Sequence, residues 1–448
     1  MRILQHRTFS GGVHPPQNKL TARLPIEDIV PPPMVVIPLQ QHLGAPAEPV
    51  CQVGDMVKIG DKIGEAKGFV SVPCHASVSG TVKAVEPRLH PLGGKVLSVV
   101  IENDGKGEVS PSLVPDDGYL ERSPDELRSR IREAGLAGMG GAAFPTHVKL
   151  SPPANKPIDT LIINGAECEP YLTSDHRLML EHPREILAGV QVIVKILGCK
   201  RCFIAIEDNK PDAIETMRRA VAEGGYPYQV LPFRAKYPQG AEKQLIKAAT
   251  GREVPRGGLP MDVGCLVHNV GTAKAIYEAV ALRKPLVERV VTVTGAGVRS
   301  PKNLRVPLGT PFAHLFAQCG GLSEDAGKII MGGPMMGIAQ FSDEVPVIKG
   351  TSGVVVLSKA ESKVPAPHPC IGCARCVDAC PMKLVPTHIQ TLVRHERFGM
   401  AKTYGLLDCI ECGCCGFVCP AGIPFVHLMK YGKMKVYQLE RAAGAKSA

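Results

Sequence analysis

Cys370, Cys373, Cys376 and Cys380, followed by Pro381, form the spacing C-x2-C-x2-C-x3-C-P, and Cys409, Cys412, Cys415 and Cys419, followed by Pro420, repeat it. Three thiolates at steps of three sit on one tight loop that wraps a face of a cubane, and in this spacing the fourth cysteine ligates the other cluster. The pattern predicts two 4Fe–4S centres. One is held by Cys370, Cys373, Cys376 and Cys419, the other by Cys409, Cys412, Cys415 and Cys380. Pairs of C-x2-C alone also suit zinc or a disulfide framework; two matched quartets, each ending in Cys-Pro, favour clusters. Cys414 falls outside the register and reads as a bystander.

Two further stretches carry chemistry. In "GLAGMGGAAFPTHVK", Gly135, Gly138, Gly140 and Gly141 precede Lys149. Glycines let backbone amides approach a phosphate, and a lysine neutralises it. The loop is neither a Walker loop nor G-x-G-x-x-G. In "IINGAECEPYLTSDHR" an apolar strand ends in Asn164, Glu167 and Glu169, and acids at the carboxyl end of a parallel strand face the ligand crevice. Cys168, the C-x2-C of Cys199 and Cys202, His147, His268, Met335 and Met336 read as packing residues.

These residues need elements to hold them, and 448 residues leave room for about three domains. Residues 1–33 are proline-punctuated and read as an extended arm over the surface. Residues 34–102 alternate short β-branched runs with turns at Gly54-Asp55, Gly60-Asp61 and Ser79-Gly80, a compact all-β unit. It resembles the barrel-sandwich hybrid of biotinyl and lipoyl carriers but has no lysine in the carrier hairpin, so it reads as structural. Over 123–285, after a helix with the capping box Ser123 and Glu126, strands and helices alternate. That pattern predicts βαβ crossovers and a Rossmann-like parallel sheet. Residues 286–358 read as a β-grasp unit. The linker "SKAESKVPAPHP" precedes the cluster module, 363–425, with few contacts expected across it. Ile389, Leu392, Val393 and Phe398 recur at helical spacing between the quartets, so the module is predicted to be an α-helical two-cluster ferredoxin domain. A tail, 426–448, carries Lys430, Lys433, Lys435, Arg441 and Lys446, a surface for anionic lipid or an acidic partner, or a solvated helix end.

Composition narrows the class. No apolar run reaches the eighteen or more residues of a spanning helix. Sixteen cysteines without a signal-like leader point to a reducing compartment, the cytosol by default. The net charge of +10 is modest for this size, and aromatic residues of only 4% with no recognition motif argue against nucleic acid.

The motifs "GMGGAAFPTHVK", "NGAECEP", "YPQGAEKQLI" and "HNVGTAKAI" resemble, in the same order, the flavin motifs of the NADH-oxidising subunit of respiratory complex I and of NAD-reducing hydrogenases. Together with "FSGGVHPP", the barrel-sandwich unit and the paired quartets, nearly the whole chain resembles the C-subunit family of Rnf ion-translocating electron transport complexes. The resemblance implies FMN and NAD(H). Gly138, Gly140, Gly141 and Lys149 would hold the FMN phosphate and ribityl, with Asn269 and Thr272 completing the phosphate side and Asn164 and Gly240 near the flavin. Glu167 and Glu169 would border isoalloxazine and nicotinamide, as the catalytic pair. Glu242 would meet the dinucleotide ribose, and Phe144 would stack on adenine. Departures from the family pattern are Met139, Ala143, Ala166, Ala241 and Ser151-Pro152, the last where an aromatic is expected beyond the lysine.

The implied activity is electron exchange between NAD(H) and ferredoxin. Hydride delivers two electrons together while a cluster accepts one, and a flavin handles both. The implied setting is a peripheral subunit on the cytoplasmic face of the bacterial inner membrane. Its partners would be a ferredoxin-type subunit and integral membrane subunits, with membrane contact indirect or through the basic tail. Competing readings are a non-catalytic iron–sulfur relay whose flavin pocket has decayed and a soluble NADH:ferredoxin reductase. A third is a quinone-side subunit of the sodium-pumping NADH:quinone reductase type, whose relative lacks the quartets.

Overall fold

The computed structural model describes residues 7–364 and 366–446, with side chains described to residue 442. The first six residues of the predicted arm, Pro365 of the linker and the side chain of Lys446 in the basic tail lie outside them.

The β-branched runs near the N-terminus fold as two small antiparallel sheets. One pairs Met34–Pro38, Lys95–Asn103, Gly80–Leu89 and Met56–Val57; the other pairs Glu48–Pro49, Lys62–Glu65 and Cys74–His75. Their inner faces bury Val35, Ile37, Ile63, Val82, Val99 and Ile101 in one core.

The alternating segment opens with α1 (Pro124–Glu133), where Ser123 and Glu126 form the capping box. After it come α2 (Thr146–Lys149), α3 (Ser174–Glu181), α4 (Pro183–Leu197), α5 (Pro211–Glu223), α6 (Glu242–Thr250) and α7 (Val270–Val280). Its four strands are all parallel, in the order Gln229–Phe233, Arg201–Glu207, Thr160–Gly165, Cys265–Asn269. Thr160–Gly165 comes first in the chain, yet the next two strands add on one side and the last on the other. The sheet therefore has its switch point between Thr160–Gly165 and Cys265–Asn269, where Asn164 and Asn269 are register partners. In open α/β sheets the ligand crevice lies beyond the carboxyl ends at that point.

A six-stranded mixed sheet with α8 (Phe312–Gln318) follows, in the order Ile26–Asp28, Lys302–Pro307, Glu288–Thr294, Gly353–Ser358, Ala326–Met331, Ile338–Ala339. Its edge strand Ile26–Asp28 comes from the arm. The arm is thus not merely laid over the surface: Phe9, Val13 and Thr21 are buried, because extended backbone can complete a sheet edge and fill a seam.

The cluster module is helical: α9 (Arg375–Asp378), α10 (Pro386–Arg394), α11 (Phe398–Thr403), α12 (Cys414–Phe417) and α13 (Phe425–Lys446). The repeat is structural too, since Gly372, Ala374 and Lys383 after Cys370 match Glu411, Gly413 and Gly422 after Cys409, all in the left-handed region. More crosses the linker than expected. Arg256 pairs with Asp408 at 2.6 Å, and Gln244 Nε2 donates to the Pro381 carbonyl at 3.3 Å, so the module docks on the α/β unit. No helix among the described residues is long and apolar enough to cross a membrane.

Candidate functional site

The cysteines line two separate cavities. Cys370, Cys373, Cys376 and Cys419 line one, with Thr387 and Phe425; Cys380, Cys409, Cys412 and Cys415 line the other, with Ile389 and Cys414. Each cavity takes three cysteines from one repeat and the fourth from the other. Four soft thiolates in apolar walls are the donor set an iron–sulfur cluster takes. Among the described residues no three His, Cys, Asp or Glu group around a single ion position; the thiolates of a cubane stand further apart, each on its own iron. Cys414 points instead toward the Tyr237 carbonyl, 3.9 Å away.

The cavities differ in setting. Cys370 and Cys373 are exposed, and Ile371 between them is 70% exposed. The other cavity adjoins the α/β unit. Tyr237, fully inside the protein, donates from its hydroxyl to the Cys412 carbonyl at 2.7 Å. Lys433 of the predicted basic tail is not free: its ammonium donates to the Cys409 carbonyl (2.6 Å) and pairs with Glu411 (2.7 Å).

At the switch point the glycine loop closes on itself, Gly138 N–H donating to the Phe144 carbonyl at 2.9 Å. The Met139 amide donates to Thr272 Oγ1 at 3.0 Å, which moors the loop to the first turn of α7. Asn269 caps that helix, accepting from the amides of Gly271 and Thr272, and donates to Asp175 at 2.6 Å. Gly140 lies against Asn269, and a Cβ there would stand 2.8 Å from its side chain; Gly141 faces open space. Phe144 is 37% exposed beside them. Asn164 Nδ2 donates to the Gly240 carbonyl at 2.9 Å, while Gly240 N–H reaches Cys168 Sγ at 3.3 Å. Lys149 and Glu242 form a 2.6 Å ion pair.

The two candidate acids hold backbone rather than open space. Glu167 accepts from the amides of Asp175 (2.8 Å) and His176 (3.0 Å), so it caps α3. Glu169 accepts from the amides of Met335 (3.1 Å) and Met336 (2.9 Å) in the loop "GGPMMG". Burial pushes its carboxyl up to about 7, against those two amides that favour the charged form.

Two side chains next to Asn269 and Gly240 in the chain carry buried polar atoms without partners. His268 Nε2 and both side-chain polar atoms of Gln239 are buried and have no hydrogen-bond partner among the described residues. Burial, with the Lys149 charge, holds His268 well below the ordinary histidine range. A glycine cradle that a Cβ would fill and an N-terminal helix turn fit a phosphate-bearing flavin at this point. His147 is not part of it, since its Nε2 meets the Phe69 carbonyl at 2.9 Å in the seam with the barrel-sandwich unit.

Four residues here carry no sequence signal of their own. Arg289, from the mixed sheet, is buried behind the glycine loop and donates to the carbonyls of Lys349 and Met139; burial lowers its pKa to about 10. Asp175 is pushed up to about 7 by burial and the neighbouring Glu167. Lys19 of the arm donates to the carbonyls of Glu167, Glu169 and Leu172, and Lys210 donates to that of Ala166. All four are ordinary polar residues whose partners lie far away in sequence.

Family models match in chain order. The "RnfC Barrel sandwich hybrid domain" matches residues 7–106, the "Nuo51 FMN-binding domain" 131–278, the SLBB domain 290–339 and the "4Fe-4S dicluster domain" 369–423. The chain is 45% identical over 406 residues to the C subunit of the Na(+)-translocating ferredoxin:NAD(+) oxidoreductase complex of Acetobacterium woodii, covering 90% of this chain and 91% of that one. It is 48% identical to the proton-translocating counterpart of Clostridium ljungdahlii, covering 90% and 88%. It is 43% identical to the C subunit of the ion-translocating oxidoreductase complex of Rhodobacter capsulatus, covering 97% and 84%. Among solved structures, an NAD+-reducing NiFe-hydrogenase aligns with 66% of this chain and 57% of that one at 19% identity and TM-score 0.49.

Proposed function

This chain belongs to the family of C subunits of ion-translocating ferredoxin:NAD(+) oxidoreductase complexes, and from that premise we propose how its residues serve electron exchange between NAD(H) and ferredoxin. Bound FMN supplies the change from hydride to single electrons, and two 4Fe–4S clusters conduct them. Gly138, Gly140, Gly141, Asn269 and Thr272 offer amides and polar caps to the FMN phosphate and ribityl, with Lys149 for charge. Asn164 and Gly240 border the flavin ring, and Phe144, Glu242 and Glu169 lie on the nucleotide side. Glu167 and Glu169 act by shaping the crevice wall, Glu169 also as a carboxyl able to keep a proton near neutrality.

The observation that carries this reading is Tyr237. It stands three residues before Gly240 and donates to the carbonyl of Cys412, so the flavin-side loop and one cluster cavity share a wall. The Cys380, Cys409, Cys412 and Cys415 quartet is then the nearer centre, and the exposed Cys370 quartet is the exit toward the next carrier.

The family sets the chain in a multi-subunit ion-translocating complex. We take its position to be peripheral, on the cytoplasmic face, with a ferredoxin-type subunit and integral membrane subunits as neighbours. The unit limits 1–33, 34–102, 123–285, 286–358, 363–425 and 426–448 are proposed as its divisions.

The test is an anaerobic NADH titration of cluster-reconstituted protein with and without FMN, following flavin and cluster absorbance together. Both bleach, the clusters only when FMN is present. Cys409→Ala leaves the Cys370 quartet reducible by dithionite but not by NADH, whereas Cys373→Ala keeps NADH reduction of the remaining centre. Dithionite reduction with no response to NADH would favour the relay reading and remove the flavin assignments.

A further inference from the structure

Lys19 lies outside both the glycine loop and the quartets, and its half-buried side chain turns its ammonium inward onto backbone. Its three N–H donors meet three backbone carbonyls, those of Glu167 (2.8 Å), Glu169 (2.9 Å) and Leu172 (2.6 Å). These carbonyls belong to loop 166–172, which leaves the strand Thr160–Gly165 at the switch point and carries Cys168 against Gly240. The loop is not a conformation the chain adopts unaided. Glu167 (φ 47) and Tyr171 (φ 70) both sit in the left-handed region without being glycine, a backbone that persists only where surroundings hold it. The arm holds it at two more points: Tyr171 N–H donates to the Gln17 carbonyl at 2.8 Å, and Thr21 and Thr173 share a 2.5 Å hydroxyl contact.

The same arm reaches the nearer cluster cavity a few residues earlier. Gly12 N–H donates to the Ala379 carbonyl at 2.9 Å, and Val13 pairs with Tyr237 through two backbone hydrogen bonds of 2.8 and 2.9 Å. Gly11, at φ +78, passes so close that a Cβ would stand 2.7 Å from the Cys380 carbonyl oxygen. One short segment therefore touches the loop at the flavin crevice and the backbone of a cluster ligand.

We propose that residues 11–21 form a strap that sets the flavin-side loop against the Cys380 quartet, with Lys19 as the positioning residue that holds loop 166–172 in its flavin-binding shape. A lysine suits this cage because its ammonium is a compact centre with three donors, while arginine's planar fork does not match three carbonyls converging on a point. Lys210, Glu167, Glu207, Cys168 and Glu169 are titratable groups that act on it or feel its charge, and burial lowers the Lys19 pKa to about 8. Deprotonation removes one of the three donors.

This inference rests on the flavin reading above, and FMN binding by the wild-type chain tests that reading separately. The experiment measures FMN affinity by flavin fluorescence, iron content, the cluster EPR signals and the thermal midpoint for wild type, Lys19→Met, Lys19→Arg and Gly11→Ala. Lys19→Met is expected to weaken FMN at least tenfold while iron, EPR and midpoint stay near wild type, with Lys19→Arg only partly restoring affinity. Gly11→Ala alters the EPR signal of the Cys380 quartet and leaves FMN affinity within a few-fold. Wild-type affinity declines as pH rises past about 8, and that step is absent from Lys19→Met. The proposal is overturned if Lys19→Met binds FMN like wild type. It is equally overturned if the variant loses FMN only in step with iron and midpoint, which is what a general folding role predicts.

Discussion

Gly140 shows what a single position contributes. Because a Cβ there would stand 2.8 Å from the Asn269 side chain, alanine must push away the residue that caps α7 and pairs with Asp175. Gly140→Ala is expected to lower stability by about 1 kcal/mol, the usual worth of an N-cap. It should weaken FMN by roughly tenfold, equivalent to about 1.4 kcal/mol; a thermal melt and a flavin fluorescence titration check both. At this scale the glycines were legible as loop residues, but the reason for Gly140 was not, because Asn269 lies over a hundred positions away. Ala143, one of the departures from the family pattern, takes φ 51 where glycine would be unstrained. The loop keeps its shape in spite of that substitution because Met139, Gly138 and Phe144 are already hydrogen bonded.

Helices decide whether the loop is presented at all. α4 and α7 pack so closely that a Cβ on Gly189 would lie 1.7 Å from the Ala273 carbonyl oxygen. Gly189→Val must separate the two helices, and overpacking of this kind costs about 1–3 kcal/mol. Since α7 moors the glycine loop through Thr272, the same variant should also weaken FMN, so a urea midpoint and an FMN titration are expected to fall together. Alternation of apolar strands with amphipathic helices made these elements readable, as did the Ser123 and Glu126 cap. Which helices touch was not readable, because Gly189 looks like any helix glycine until its neighbour is known.

The whole molecule is joined where three units meet. Lys349, in the segment that leads into the mixed-sheet strand Gly353–Ser358, donates to the carbonyls of Pro73 (2.9 Å) in the barrel-sandwich unit and Gly135 (2.7 Å) in the α/β unit, while its amide reaches Gln41. His75 sits in the same joint, and burial, with the Lys349 and Lys62 charges, lowers its pKa to about 3. The folded protein keeps this imidazole neutral where the unfolded chain, with a pKa near 6.5, takes up a proton. Its contribution to stability is therefore full above pH 6.5 and is lost as pH falls toward 3, at up to about 1.4 kcal/mol per pH unit. Urea midpoints measured between pH 7 and 5 should drop for wild type and drop less for His75→Gln. The arm and the cluster module are tied in at a different place, both hydrogen bonded to the α/β unit at Tyr237.

Cysteine spacing alone pointed to two clusters with exchanged fourth ligands, because the number of residues between thiolates limits what one loop can wrap, and the two cavities group the cysteines in that way. Strand and helix alternation announced the parallel sheet, and motif order pointed to the flavin crevice at its carboxyl end. Only the tertiary structure decided which quartet adjoins that crevice, that Glu167 and Glu169 hold backbone amides, and that Lys19 and Arg289 reach the site from other units. Local spacing reflects what one segment can ligate or bury. Contacts between segments hundreds of residues apart depend on how the units dock, and a buried lysine has the same letter as an exposed one.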